Sequence, residues 1–134
     1  MTAITTRRVA ANPPAFSIVL RATAVVLTLA TAWIHFSLGS TLFLLDAIGY
    51  TVLAAALVLP GLGPVRWLVR YALIGFTAMT IVGWVLFGAR FDLAYLDKAI
   101  EVALIAVLLT ESWIVEGGPV AVTRRALRMV GVAR

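Results

Sequence analysis

The stretch YLDKAIEVALIAVLL, residues 95 to 109, decides how this chain is read. Most of it is apolar enough for hydrocarbon, yet Asp97, Lys98 and Glu101 stand near its start. At 100° per residue, Glu101 lies about 40° from Asp97 around a helix and Lys98 about 100°. Further along, Ser112 lies about 60° from Asp97, and Glu111 about 40° to the other side. The polar residues therefore share one face of a helix from about Leu93 to Trp113, and the charges read as the lining of a bundle.

The whole chain supports that reading. Of its 134 residues, 63% are hydrophobic and 13% charged, and the mean hydropathy is +1.06. Soluble domains are about 45–50% apolar and 25% charged, so this is the composition of an integral membrane protein. The formal charge of +5 reads here as an orientation signal rather than as affinity for nucleic acid, and no nucleic-acid partner is expected. The chain has no cysteine, which excludes disulfides, thiolate metal sites, iron–sulfur clusters and cysteine nucleophiles.

A hydrocarbon core about 30 Å thick needs roughly 20 residues of helix. Four stretches meet this: about 16–38, 41–59, 67–88 and 93–113. Between them, SLGST offers Ser40 as an N-cap, PGLGP at 60–64 cannot continue a helix, and GARFD ends in Asp92 as the expected N-cap of the fourth. Three short connections predict an all-α fold, a four-transmembrane-helix antiparallel up-down bundle. Domain organisation follows as an N-terminal tail over 1–15, the membrane domain over 16–114, and a basic tail over 115–134.

Arg7, Arg8, Arg21, Arg66, Arg70, Arg124, Arg125, Arg128 and Arg134 fall to one side, and only Arg90 and Lys98 to the other. The positive-inside rule then makes both termini cytoplasmic. Trp33, Trp67, Phe91 and Trp113 fall near helix ends, where amphipathic rings favour the interface. The N-terminal basic region is long and the apolar run continues past the small residues Ala30 and Ala32, so the first helix is expected to remain in the protein. The tail beginning at Pro119 reads either as an amphipathic helix with Arg124, Arg125 and Arg128 toward anionic headgroups, or as a frayed basic segment. Small residues recur at packing intervals at Ala24, Thr28 and Ala32, at Gly75, Met79 and Gly83, and at Ala99 and Ala103; each set is expected to pack against another helix of the bundle.

The same angular arithmetic places Ser17, Arg21, Ala24, Thr28, Thr31 and His35 within about 80° on the first helix. Asp46 and Tyr50 share a face of the second, and Arg66, Arg70, Thr77, Thr80 and Trp84 an arc of the third. Turned inward, these faces gather His35, Asp46, Tyr50, Lys98 and Glu101 in the outer half of the bundle, with Arg21, Arg70 and Glu111 in the inner half. Lys98 would lie roughly 7 Å deep and Glu101 roughly 12 Å. A lone charge at such a depth costs about 2.5–3.5 kcal/mol on insertion scales, so Lys98 is expected to pair with Asp46 or Glu101. The cluster then serves either to fix helix register or as a functional polar pocket.

Chemistry is narrowed further by what is missing. A single histidine excludes bis-histidine haem, and Lys98 opposes a metal among His35, Asp46 and Glu101. No nucleophile–base pair or phosphate loop is evident. No cofactor and no metal are expected, and the reading leans away from an enzyme. Three functions remain: an accessory or assembly subunit of a larger membrane complex; a small oligomeric transporter or proton conductor using Glu101, His35 and Asp46; or a subunit binding quinone, pigment or lipid. The expected partners are the lipid bilayer and other membrane subunits or further copies of the chain.

The segments AWIHFSLGSTLFLLDAIGYTVLAAALVLP (32–60) and YLDKAIEVALIAVLL resemble small four-helix bacterial inner-membrane proteins of unassigned function. Their shared marks are His35, Asp46, Lys98 and Glu101. The resemblance implies a multi-pass location in the bacterial inner membrane and a topology, not an activity. With DoxX-like proteins the chain shares only size and helix number.

Overall fold

The computed structural model describes residues 14–132, all helix and connecting turn. Arg7, Arg8 and Arg134, part of the orientation argument, lie outside the described residues. Helix α1 spans Ala15–Leu38, α2 Thr41–Val58, α3 Arg66–Phe87, α4 Asp92–Glu116 and α5 Pro119–Met129, with a 3-10 turn over Gly63–Val65 leading into α3.

The ends follow local chemistry. Gly39 closes α1 and Ser40 caps α2, its hydroxyl accepting from the Phe43 N–H at 3.4 Å. The expectation for α4 is corrected by one residue: Phe91 is the N-cap, in extended conformation, and Asp92 is the first helical residue. There its charge still faces the positive end of the helix. At the far end of α4, Gly117 and Gly118 both take positive φ, and a Cβ on Gly118 would meet the Trp113 ring at 2.6 Å. Only glycine fits a reversal this tight, and it folds α5 back onto α4.

Helices α1 to α4 pack in a ring, each against its neighbours in sequence, with α1 also against α4. Side-chain pairs set their directions: Arg21 early in α1 meets Glu111 late in α4, whereas Thr31 late in α1 meets Asp97 early in α4. Neighbours therefore run antiparallel. The starts of α1 and α3, the end of α4 and all of α5 gather at one end of the bundle, called here the Arg70 end. The turns after α1 and α3 form the opposite, His35 end.

Three helices are long and apolar enough to cross a membrane, Ala15–Leu38, Thr41–Val58 and the segment Gly63–Phe87, with mean hydropathies of 1.8, 2.0 and 1.6. Only 28%, 22% and 17% of their apolar stretches are buried inside the protein. Most of their greasy side chains thus face outward, as in Trp33, Phe36, Leu42 and Val52, which is the surface of a membrane protein.

Burial inside the bundle is narrow. Ala24, Leu57, Leu73, Leu104 and Leu108 are wholly enclosed, forming an apolar layer midway along the ring. Close approach of α2 and α3 depends on Gly49, where a Cβ would stand 2.6 Å from the Phe76 ring. The small residues divide: Ala24, Thr28 and Ala32 are buried as expected, but Gly75, Met79, Gly83, Ala99 and Ala103 face outward. Small-residue spacing makes a helix face flat; it does not say which helix fills it.

Candidate functional site: two buried polar groups

Nine polar or charged residues of α1 and α4 are buried, because α4 turns the face with Asp97, Lys98, Glu101, Glu111 and Ser112 inward and α1 turns Ser17, Thr28, Thr31 and His35 to meet it. They separate into two groups.

At the His35 end, Glu101 is the centre. One carboxylate oxygen receives the Tyr50 hydroxyl at 2.8 Å, with Thr80 Oγ1 at 2.9 Å; the other takes the Lys98 ammonium at 2.6 Å. Lys98 also lies 3.0 Å from Asp97, and Asp97 accepts from the Thr31 hydroxyl at 2.5 Å. His35 Nδ1 lies 2.9 Å from the Thr31 carbonyl oxygen. A carbonyl can only accept, so this nitrogen carries the proton, and Nε2 faces Glu101 at 3.9 Å and Asp46 at 4.0 Å. The Tyr50 ring closes the group from α2, tilted against His35 at 5.5 Å between centroids and edge-on to Phe76 at 4.9 Å.

Of the residues expected here, His35, Tyr50, Lys98 and Glu101 come together fully. Asp46 stands at the rim, with a side chain 21% exposed. Between the two partners expected for Lys98, the geometry selects Glu101, and it adds Asp97. Sequence reasoning left Asp97 out of the cluster, and with it the hydroxyls of Thr31 and Thr80. Their signal was present, since each lies on an inward arc of its helix, but a face does not reveal its partner 66 residues away.

His35, Asp97 and Glu101 each offer an atom within 4.8 Å of the others, a spacing that metal ligation can use. The ammonium of Lys98 already lies among these carboxylates and would be displaced or strongly repelled by a divalent ion. The donor set therefore fits an internal ion pair better than a metal centre.

At the Arg70 end, Glu111 is wholly buried between two guanidinium groups. Arg21 reaches one oxygen through Nε and Nη2 at 3.0 and 2.8 Å. Arg70, 1% exposed, grips both oxygens, Nε at 3.1 Å and Nη2 at 2.9 Å. This is the forked geometry for which arginine, not lysine, is suited. Arg70 Nη1 also bonds Glu116, and Tyr71 and Ser112 share a hydrogen bond of 2.7 Å. Arg21, Arg70 and Glu111 thus meet where the angular arithmetic puts them. Glu116 was missed: five residues beyond Glu111 it lies about 140° around the helix, and only the length of the Arg70 side chain reaches it.

Beside this group lies a cavity of about 300 Å³, walled by Arg21, Arg66, Trp67, Arg70, Glu116 and Arg125 among others. Trp67 is not at an open interface as expected but 5% exposed, with the Arg125 guanidinium 5.5 Å from its ring centre. Comparison with known protein families, curated proteins and solved structures returns no match, so the reading of function rests on this geometry.

Proposed function

We propose that the chain is a four-span membrane protein that works without catalysis and without a cofactor, as an accessory or assembly subunit within a larger membrane complex. In this reading α4 is the fourth span. Its 25 residues are long enough to cross, it runs antiparallel beside α1, and Asp97, Lys98, Glu101 and Glu111 turn inward while Leu96, Val102 and Ile114 face out. Both described chain ends then lie on the cytoplasmic side with Arg66, Arg124, Arg125 and Arg128, in accord with the positive-inside rule. The resemblance of residues 32–60 and 95–109 to small bacterial inner-membrane proteins supports a bacterial inner membrane as the location in this reading.

The observation that carries the reading is the apolar layer. Glu101 and Glu111 are ten residues apart, about 15 Å along α4, and between their paired groups Leu57, Leu73, Leu104 and Leu108 are wholly enclosed, with two buried hydroxyls isolated among them, Thr28 turned back to the Ala24 carbonyl and Thr77 without a partner among the described residues. A conducting protein needs polar or hydrated steps through that interval, whereas a subunit that acts through its outer surface needs a sealed interior. The outward face of α3 supports the second: at Gly75 and Gly83 a Cβ would touch nothing within 4 Å, leaving a flat strip around Met79 for a helix from elsewhere.

Native mass spectrometry after gentle detergent extraction tests this. The expected result is a species heavier than 14.4 kDa, containing other polypeptides or further copies, which Gly75→Leu with Gly83→Leu dissociates without loss of helicity. A monomer under all conditions, together with a liposome proton or solute flux abolished by Glu101→Gln, would replace this reading with translocation.

A further inference from the structure

The cavity at the Arg70 end is not accounted for by any role of the outer surface of α3. Its charges do not balance. Arg21, Arg66, Arg70 and Arg125 contribute four guanidinium groups against the carboxylates of Glu111 and Glu116, which leaves a formal excess of two positive charges beside one cavity. Arg21 and Arg70 are spent on the glutamates. Arg66 and Arg125 are not: among the described residues, Arg66 has one long contact, to the Leu59 carbonyl at 3.4 Å, and Arg125 makes its contact with the Trp67 ring.

A second observation is independent of charge. Trp67, nineteen-twentieths buried, forms part of the cavity wall, and its indole N–H has no hydrogen-bond partner among the described residues; neither has Arg66 Nε. Buried donors are almost always satisfied, and each left unmade costs on the order of 1–3 kcal/mol. Glu116 Oε2, on the same wall, is an unpartnered acceptor among the described residues, but with two donors unpartnered and a formal excess of two positive charges the cavity as a whole calls for a ligand with several oxygens and negative charge. The volume, equal to that of about ten liquid waters at ~30 Å³ each, admits more than a single water or halide.

We infer that this cavity binds the phosphate of an anionic headgroup, held by Arg66, Arg125 and the Trp67 indole N–H, with an acidic phospholipid as its source. The surroundings favour a lipid over free phosphate. Val120 and Met129 of α5, 60% and 65% exposed, offer an apolar flank for acyl chains, and Arg128 lines a second depression that continues along α5 from Arg125. Helix α5 carries three arginines and no acid, a composition suited to an anionic membrane face. The site does not depend on the docking face of α3, so either proposal can fail alone.

The test uses the full chain, delipidated in detergent and offered phosphatidylglycerol, phosphatidylcholine or inorganic phosphate, with retention read by native mass spectrometry and competition. Phosphatidylglycerol is expected to be retained about tenfold over phosphatidylcholine. Arg66→Gln should lower that retention about tenfold and Trp67→Phe, which keeps the ring but removes the N–H, about threefold, in line with one charge-assisted and one neutral-donor bond. Arg90→Gln, at an exposed arginine of the opposite, His35 end, should leave it unchanged. Displacement of the lipid by millimolar phosphate, with the same sensitivity to Arg66 and Trp67, identifies free phosphate as an equal occupant of the phosphate site. Equal retention of both lipids, loss by Arg90→Gln as large as by Arg66→Gln, or retention indifferent to both Arg66→Gln and Trp67→Phe would overturn the inference. Circular dichroism melts of each variant separate loss of binding from loss of fold, and Trp67→Phe remains as the test should Arg66→Gln not fold.

Discussion

The two ends of this bundle solve the same problem, charge inside a membrane protein, with opposite chemistry. At the His35 end two carboxylates, Asp97 and Glu101, share one lysine while Asp46 stands at the rim, and hydroxyls from Thr31, Tyr50 and Thr80 complete the coordination of the buried acids. The result is compact, acid-rich and closed. At the Arg70 end arginines outnumber acids, pairing is forked, and donors remain unused beside a cavity. Saturation at one end and surplus at the other is the reason to assign structure to the first and ligand binding to the second.

The largest effect that sharpens this contrast is expected from Glu111→Leu. It strands Arg21 and leaves Arg70 with Glu116 alone, and breaking a buried pair from one side costs about 3–5 kcal/mol; denaturant titration in micelles should register that loss, and adding Arg70→Met should recover a large part of it. At the other end Glu101→Gln should cost about 1.5–3 kcal/mol in the same assay, since a charged acceptor of Lys98 is replaced while the amide oxygen can still receive Tyr50 and Thr80. If Glu101→Gln proves more damaging than Glu111→Leu, the idea that the Arg70 end is the more strongly coupled of the two is wrong. Tyr50→Phe removes one hydroxyl that bridges Glu101 and Thr80, a loss of about 0.5–1.5 kcal/mol. The smallest change belongs to Asp46→Asn: its carboxylate is partly exposed and 4.0 Å from the imidazole, so unfolding should shift by less than about 0.5 kcal/mol.

How much of this was written in the sequence depends on the kind of fact. Helix existence and inward faces were legible, because burial of Thr28, Thr31, His35, Glu101 and Glu111 follows from a 100° step and from the cost of charge in lipid. Partner choice was not. Asp97 finds Thr31 and Arg70 finds Glu116 through distances set by helix rotation and side-chain reach, which periodicity does not carry. The outward strip of Gly75, Met79 and Gly83 was misassigned for the same reason: a flat face is a local property, and its occupant is a tertiary one. The cavity was invisible in the sequence, since it is created by the Gly117–Gly118 reversal that lays α5 against α4.

One consequence of the leucine layer reaches beyond packing. It keeps an acid-rich end, with two formal negative charges in excess among Asp46, Asp92, Asp97, Glu101, Arg90 and Lys98, apart from a base-rich end with four positive ones in excess among the described residues, and so gives the molecule a fixed electric axis. Under the proposed orientation the positive pole faces an interior at negative potential. With about 2.3 kcal/mol per elementary charge across 100 mV, each excess charge displaced by half the membrane is steadied by about 1 kcal/mol. An energised membrane would therefore hold the protein the right way round more firmly than a depolarised one.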